Sequence, residues 1–372
     1  MIEYNANNER IKKKYFEFLR DAAGLSVDTV DAAAMALARF EAFNKHRDFK
    51  AFHRKQAMAF KEHLLKLNNP TTGQKLSKAT IHASLAQLKR FIQWLAREQG
   101  YKSRINYSDA EYFNLPDKES RIARARRSRP VPTLEQIWHV LSCMPSQTPI
   151  QKRNRALIAF ILLTGARDGA VASIKLKHID LVEGSVFQDA REVKTKFSKS
   201  FPTFFFPVGD EVLACLTDWV LYLRGDCLCG NDDPLFPKTQ MALDCNGQWE
   251  VKGLSTEHWS DATAIRRIFR EAFGSVGLPN FHPHSFRSTL VRLGQTLCRT
   301  PEEIKAWSQN LGHESVLTTF TSYGQVPHSR QNEIFQSLRA GKGQGGAEDE
   351  AEGMADAVVR KLMEKLQGLP SG

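Results

Sequence analysis

The sequence predicts a mainly α-helical protein with a small β-hairpin, an α+β chain of two domains joined by a basic linker. Three observations lead there. Apolar residues recur at helical spacing through most of the chain, the pattern turns to strands near residues 185–208, and an arginine-rich stretch closed by prolines separates two helical regions. The 372 residues are 42% apolar and 25% charged, ample material for more than one core. A formal net charge of +11 points either to an anionic partner, nucleic acid ahead of a membrane surface, or to a basic but otherwise ordinary enzyme. No apolar run approaches the ~20 residues that span a bilayer. The N-terminus lacks the apolar core of a signal peptide, so a cytoplasmic protein is expected. Six dispersed cysteines do not form a disulfide framework, and Cys227, Cys229 and Cys245 lack the second half of a zinc site, so no metal is expected.

Residues 1–117 read as a helical domain. In "SKATIHASLAQLKRFIQWLAREQG", Ile81, Leu85, Leu88, Phe91, Ile92 and Leu95 share one face, and Ser77 is placed to cap the start. The other face carries Lys78, His82, Lys89 and Arg90, which serve either as a solvated surface or as DNA contacts. "IKKKYFEFLRDAAG" and "VDAAAMALARFEAF" repeat the amphipathic pattern and complete a small bundle. Residues 118–132 form the linker, with Arg121, Arg124, Arg126, Arg127 and Arg129 crowded before Pro130 and Pro132. A segment lying against a polyanion has this composition, and so does a solvated tether.

Residues 133–340 form the second domain. Thr133 and Gln136 make a capping box, and "RNRALIAFILLTGAR" is apolar nearly all round, as in a buried helix. The hairpin comes next, with Pro202 and Pro207 implying a sheet edge, and then helices resume. Residues 341–372 are a Gly-rich acidic spacer and a short amphipathic helix in which Met354, Val358, Leu362 and Leu366 recur every four residues.

Four pieces of the second domain can carry chemistry. His284 and Arg287 in "HPHSFRSTLVRLG" share a helix face near an N-terminus, a natural seat for a phosphate oxygen. In "LLTGARDGAVASIKL", Gly165 permits a tight turn that brings out Arg167, which needs either an anionic ligand or a carboxylate such as Asp168 or Asp180. "VKTKFSKSF" sets Lys194, Lys196 and Lys199 near a turn, where a lysine reaches a leaving oxygen or merely faces water. "LGHESVLTTFTSYG" holds His313 and Tyr323. A phenol with a pKa near 10 becomes a nucleophile only beside a base and cations.

In this order the pieces resemble the catalytic domain of the tyrosine recombinases, the phage integrase family, over roughly residues 130–340. The family pattern Arg, Lys, His-x-x-Arg, His, Tyr matches Arg167, Lys196, His284, Arg287, His313 and Tyr323, with Lys194 as the second choice of lysine. The N-terminal bundle resembles, more loosely, the family's SAM-like core-binding domain. One position departs: Ala170 stands where the family usually has an acid, which leaves another group, such as Asp168, to orient Arg167.

The resemblance implies that Tyr323 attacks a DNA phosphodiester to give a 3'-phosphotyrosyl link and a 5'-hydroxyl. Arg167, Arg287 and His313 then hold the non-bridging oxygens, Lys196 protonates the leaving oxygen, and His284 takes or positions the tyrosine proton. It implies no metal or other cofactor. The implied partners are double-stranded DNA and further copies of the chain, up to a tetramer exchanging C-terminal segments. An accessory DNA-bending or directionality protein is left open. Two other functions share these residues: relaxation of DNA by a type IB topoisomerase, and DNA binding by a regulator that has lost catalysis.

Overall fold

Helix caps written in the sequence set where several elements begin. Ser77 accepts from the Thr80 amide at 3.1 Å, and Thr133 with Gln136, Thr148 with Gln151 and Thr300 with Glu303 form reciprocal capping boxes. The computed structural model describes residues 4–69, 72–125, 130–195 and 199–313, together with 332, 335 and 336. It divides into two units, Met1–Arg127 and Ser128–Gly372. Lys196, Tyr323, Arg126, Arg127, Arg129 and the expected tail at 341–372 lie outside the described residues.

The first unit is helical. Helices α1 (Ala6–Glu17), α2 (Val27–Phe43), α3 (Arg54–Lys66), α4 (Lys78–Leu95) and α5 (Asp117–Arg124) surround fully buried Tyr15, Phe40, Phe60, Phe91 and Phe113. Phe40 and Phe60 meet edge to face with ring centroids 5.1 Å apart, the arrangement their quadrupoles favour. Buried Asn8 ties α1 to the end of α2 and the loop beyond it. Its amide donates to Glu41 and to the Arg47 carbonyl, and its oxygen accepts from the Phe49 amide. Lys12 neutralises Glu41 at 2.6 Å, so the buried carboxylate is paired.

The first part of the expected linker, as far as Arg124, is helical. It belongs to α5, which packs on α4, and Asp117 and Glu119 in the first turn and Arg121 and Arg124 in the last complement the helix dipole.

In the second unit, helix α7 (Pro149–Thr164) buries every residue from Ala156 to Thr164 and lies at the centre of the core. Around it stand α6 (Leu134–Cys143), α9 (Asp210–Gly225), α10 (Thr263–Ser275), α11 (Pro283–Leu297) and α12 (Pro301–Asn310), with short α8 (Asp168–Val171) just after α7. The expected hairpin is part of an antiparallel sheet ordered β1 (Ile179–Asp180), β2 (Ser185–Gln188), β3 (Phe201–Phe204). Strand β3 is an edge, and Pro202 opposite Phe187 has no amide to offer a further strand.

A second hairpin, β4 (Thr239–Leu243) with β5 (Trp249–Leu254), interrupts a stretch expected to be helical. Its signal is the Asn246-Gly247 pair, with Gly247 at φ 73° and Asp244 accepting from the Asn246 and Gln248 amides.

Helix α12 approaches α11 where Gly294 leaves room. A Cβ there would fall 2.6 Å from Trp307 Nε1, which donates instead to the Leu290 carbonyl at 3.0 Å. Gly294→Ala is therefore expected to destabilise the second unit by about 1–3 kcal/mol through overpacking. Urea denaturation monitored by Trp fluorescence checks this, and an unchanged midpoint would show that α12 can shift freely.

Candidate active site

The site is assembled from two glycine turns and the opening of one helix. Helix α7 ends at Gly165, whose φ of 59° is left-handed and whose absent Cβ would meet Leu311 Cδ2 at 2.9 Å. The turn buries Ala166 and brings out Arg167, half-buried, as the N-cap residue of α8. Helix α11 opens with Pro283 at its first turn, leaves His284 exposed, and carries Arg287 one turn further on its buried face. Helix α12 closes through Gly312, at φ 67°, where a Cβ would lie 2.6 Å from Phe201 of β3. That close approach seats buried His313, whose amide donates to the Ser308 carbonyl at 3.1 Å.

Arg287 joins these elements. Only 2% exposed, it donates Nη1 to the Gly165 carbonyl at 2.6 Å and Nη2 to the Leu311 carbonyl. Nη2 also lies 2.9 Å from His313 Nε2. A guanidinium cannot accept, so Nε2 is the acceptor and the imidazole proton sits on Nδ1. Burial, and then the positive charges of Arg287, Arg167 and His284, press the His313 pKa down to about 4. Each neighbour moves it the same way. Arg287 bonds His313, and the charges of Arg167 and His284 act on the same ring, so the four form a positive cluster suited to a phosphate.

The lysines and the acid behave differently. Lys194 Nζ donates to the Ser260 carbonyl at 3.1 Å, which gives it an anchoring contact. Asp168 accepts from the Gly169 amide and from Arg266 Nε at 2.8 Å, so its carboxylate is held by α10. The sequence holds no sign of the carbonyl acceptors at Gly165 and Leu311, since any residue supplies a carbonyl. Thr289, whose hydroxyl donates to the Pro132 carbonyl at 2.6 Å, escapes sequence reasoning for the same reason.

In the first unit, Lys78 lies 3.6 Å from Glu119, and Lys89 bonds Glu111 at 2.6 Å and Asn114 at 3.1 Å. These two lysines are therefore engaged by carboxylates of their own unit. His82 is half-buried, whereas Arg90, Arg121 and Arg124 are exposed.

The family model "Phage integrase family" matches residues 133–330, and "Phage integrase, N-terminal SAM-like domain" matches residues 13–99. The chain belongs to the phage integrase family. As a tyrosine recombinase it is an enzyme of site-specific DNA recombination. It is 26% identical over 346 residues to the tyrosine recombinase XerD of Oceanobacillus iheyensis, covering 91% of this chain and 98% of that one. It is 27% identical over 231 residues to tyrosine recombinase XerC 2 of Ralstonia nicotianae, a match spanning 61% of each. The fold is shared with a lambda integrase dimer bound to a COC' core site, at TM-score 0.55 and 15% identity, covering 85% of this chain and 95% of that one. The Tn1549 transposon integrase with transposon right end DNA gives TM-score 0.55 and 15% identity, covering 88% and 99%.

Folded His313 stays neutral down to about pH 4, whereas an unfolded histidine takes its proton near 6.5. The unfolded state of this recombinase therefore binds the extra proton between those values. Stability tied to the neutral ring is present above pH 6.5 and lost as pH falls through about 4. Denaturation midpoints of the wild type should fall across this window more steeply than those of His313→Gln; parallel pH profiles would contradict the assignment.

Proposed function

We propose that the recombinase cleaves double-stranded DNA through a 3'-phosphotyrosyl intermediate at Tyr323 and rejoins it by transesterification. The observation that carries this is the positive cluster in which Arg287 bonds neutral His313 and the charges of Arg167 and His284 act on the same ring. The guanidinium groups of Arg167 and Arg287 stabilise the charge gathering on the non-bridging oxygens, and His313 adds the proton on Nδ1. His284, exposed at the head of α11, takes the Tyr323 proton, and Lys196 gives one to the leaving 5'-oxygen. Each phosphoester replaces another, so the reaction needs no external energy source.

Strand exchange needs several copies on the DNA, and a tetramer is the assembly proposed. A cleft of about 850 Å³ between β3 and α12, lined by Phe201, Phe204, Phe206, Leu297 and Trp307, suits apolar side chains of a neighbour's C-terminal segment. Arg90, Arg121, Arg124, Arg126 and Arg127 of the first unit, with Arg129 two residues beyond it, are the proposed DNA-backbone contacts. Recombination is favoured over topoisomerase activity because the similar proteins are recombinases and integrases.

The decisive assay uses a suicide duplex nicked beside the cleavage site. Wild type should accumulate a covalent protein–DNA adduct and Tyr323→Phe none. No adduct from wild type on a cleavable site, or an undiminished adduct from the variant, would sink the reading.

A further inference from the structure

The segment leading into Lys196 is fixed at two points that the reaction chemistry alone does not explain. At the first, Glu192 collects three donors from the turn before β1: Lys177 Nζ at 2.9 Å, His178 Nε2 at 3.2 Å and Lys175 Nζ at 3.4 Å. Buried His178 accepts the Lys175 amide on Nδ1 at 3.0 Å, so its proton sits on Nε2 and points at Glu192. Asp232 bridges the same two lysines at 2.8 and 3.3 Å, which holds their ammonium groups in place from a second side.

The second point ties the segment to the Arg167 turn. Val193 is buried, and the next amide, of Lys194, donates to Ser173 Oγ at 2.8 Å. Ser173 in turn donates to the Ala170 carbonyl of α8, the helix that Arg167 caps. A methyl built on Gly169 of that helix would come 3.8 Å from the Lys194 carbonyl, so the two backbones run side by side. Lys196 is two residues beyond this latch.

We infer that Glu192 and Ser173 are positioning residues that hold the Lys196 segment in register with the turn carrying Arg167. Exposed ion pairs contribute little stability each. Their effect here is geometric: residues 192–194, which lead into the general acid, are tied to the turn of a phosphate-binding arginine distant in sequence. The inference rests on the reading of Lys196 as the general acid, and its test separates the two.

In cleavage, the Tyr323 oxygen bonds to phosphorus as the bond to the 5'-oxygen breaks; that oxygen takes the Lys196 proton and leaves as a hydroxyl. With sulfur at this bridging position, a thiolate leaves without a proton, because thiols ionise near 8.5. The full-length chain is assayed on suicide duplexes with oxygen or sulfur at this position. Lys196→Ala should be slow on oxygen and restored on sulfur. Glu192→Ala and Ser173→Ala should behave alike, slowed about 10- to 100-fold on oxygen, as expected of a misplaced group, and near wild type on sulfur. Glu192→Gln, which keeps the side-chain shape, should show the same pattern more weakly and decides the question if Glu192→Ala fails to fold. Equal losses on both substrates, or none on either, would overturn the inference. If Lys196→Ala stays slow on sulfur, the general-acid reading falls and the inference falls with it.

Discussion

The buried guanidinium of Arg287 is the interaction on which the catalytic unit depends. It donates to carbonyls at the end of α7 and the end of α12, and to the ring of His313, from the first turns of α11. Burying such a group is costly unless its donors are met. The two glycine turns meet them: left-handed Gly165 offers its own carbonyl, and Gly312 lets the chain reverse after Leu311. Changing either turn would move a carbonyl, and with it Arg287, Arg167 or His313. The apolar contact of Leu311 and Leu290 around Gly165 makes the arrangement part of the core.

The electrostatics derive from that packing. A histidine buried among Arg287, Arg167 and His284 stays neutral, so the pocket keeps a hydrogen-bond donor without adding another full charge. A phosphate entering the pocket offsets part of this positive charge, so the His313 pKa should rise from its free value while the ring keeps its proton on Nδ1 and goes on accepting from Arg287.

Much of the site is legible in the sequence because identity and spacing carry it. His284 and Arg287 share a helix turn, Gly165 before Arg167 marks a reversal, and capping boxes mark helix starts; the structure has all three. The parts that are not legible have physical reasons. Carbonyl acceptors leave no trace in residue type. Arginine density hides the helix α5, although its acidic first turn and basic last turn encode it. The Asn246-Gly247 turn announces β4 and β5, but the flanking strands bury little, with Met241, Leu243, Trp249 and Val251 exposed. Lys78 and Lys89 look in the sequence like members of an open basic face, whereas Glu119 and Glu111, distant along the chain, take them up. Glu192 gives no local signal because its three donors lie more than ten residues before it.

The most direct test of the anion pocket is the His313 titration, monitored by NMR of labelled Tyr323→Phe protein, alone and on a duplex that wild type cleaves. His313 should titrate at about 4 in the free protein and at a clearly higher pH when the scissile phosphate is bound. A ring that titrates at the same pH with and without bound DNA would contradict it.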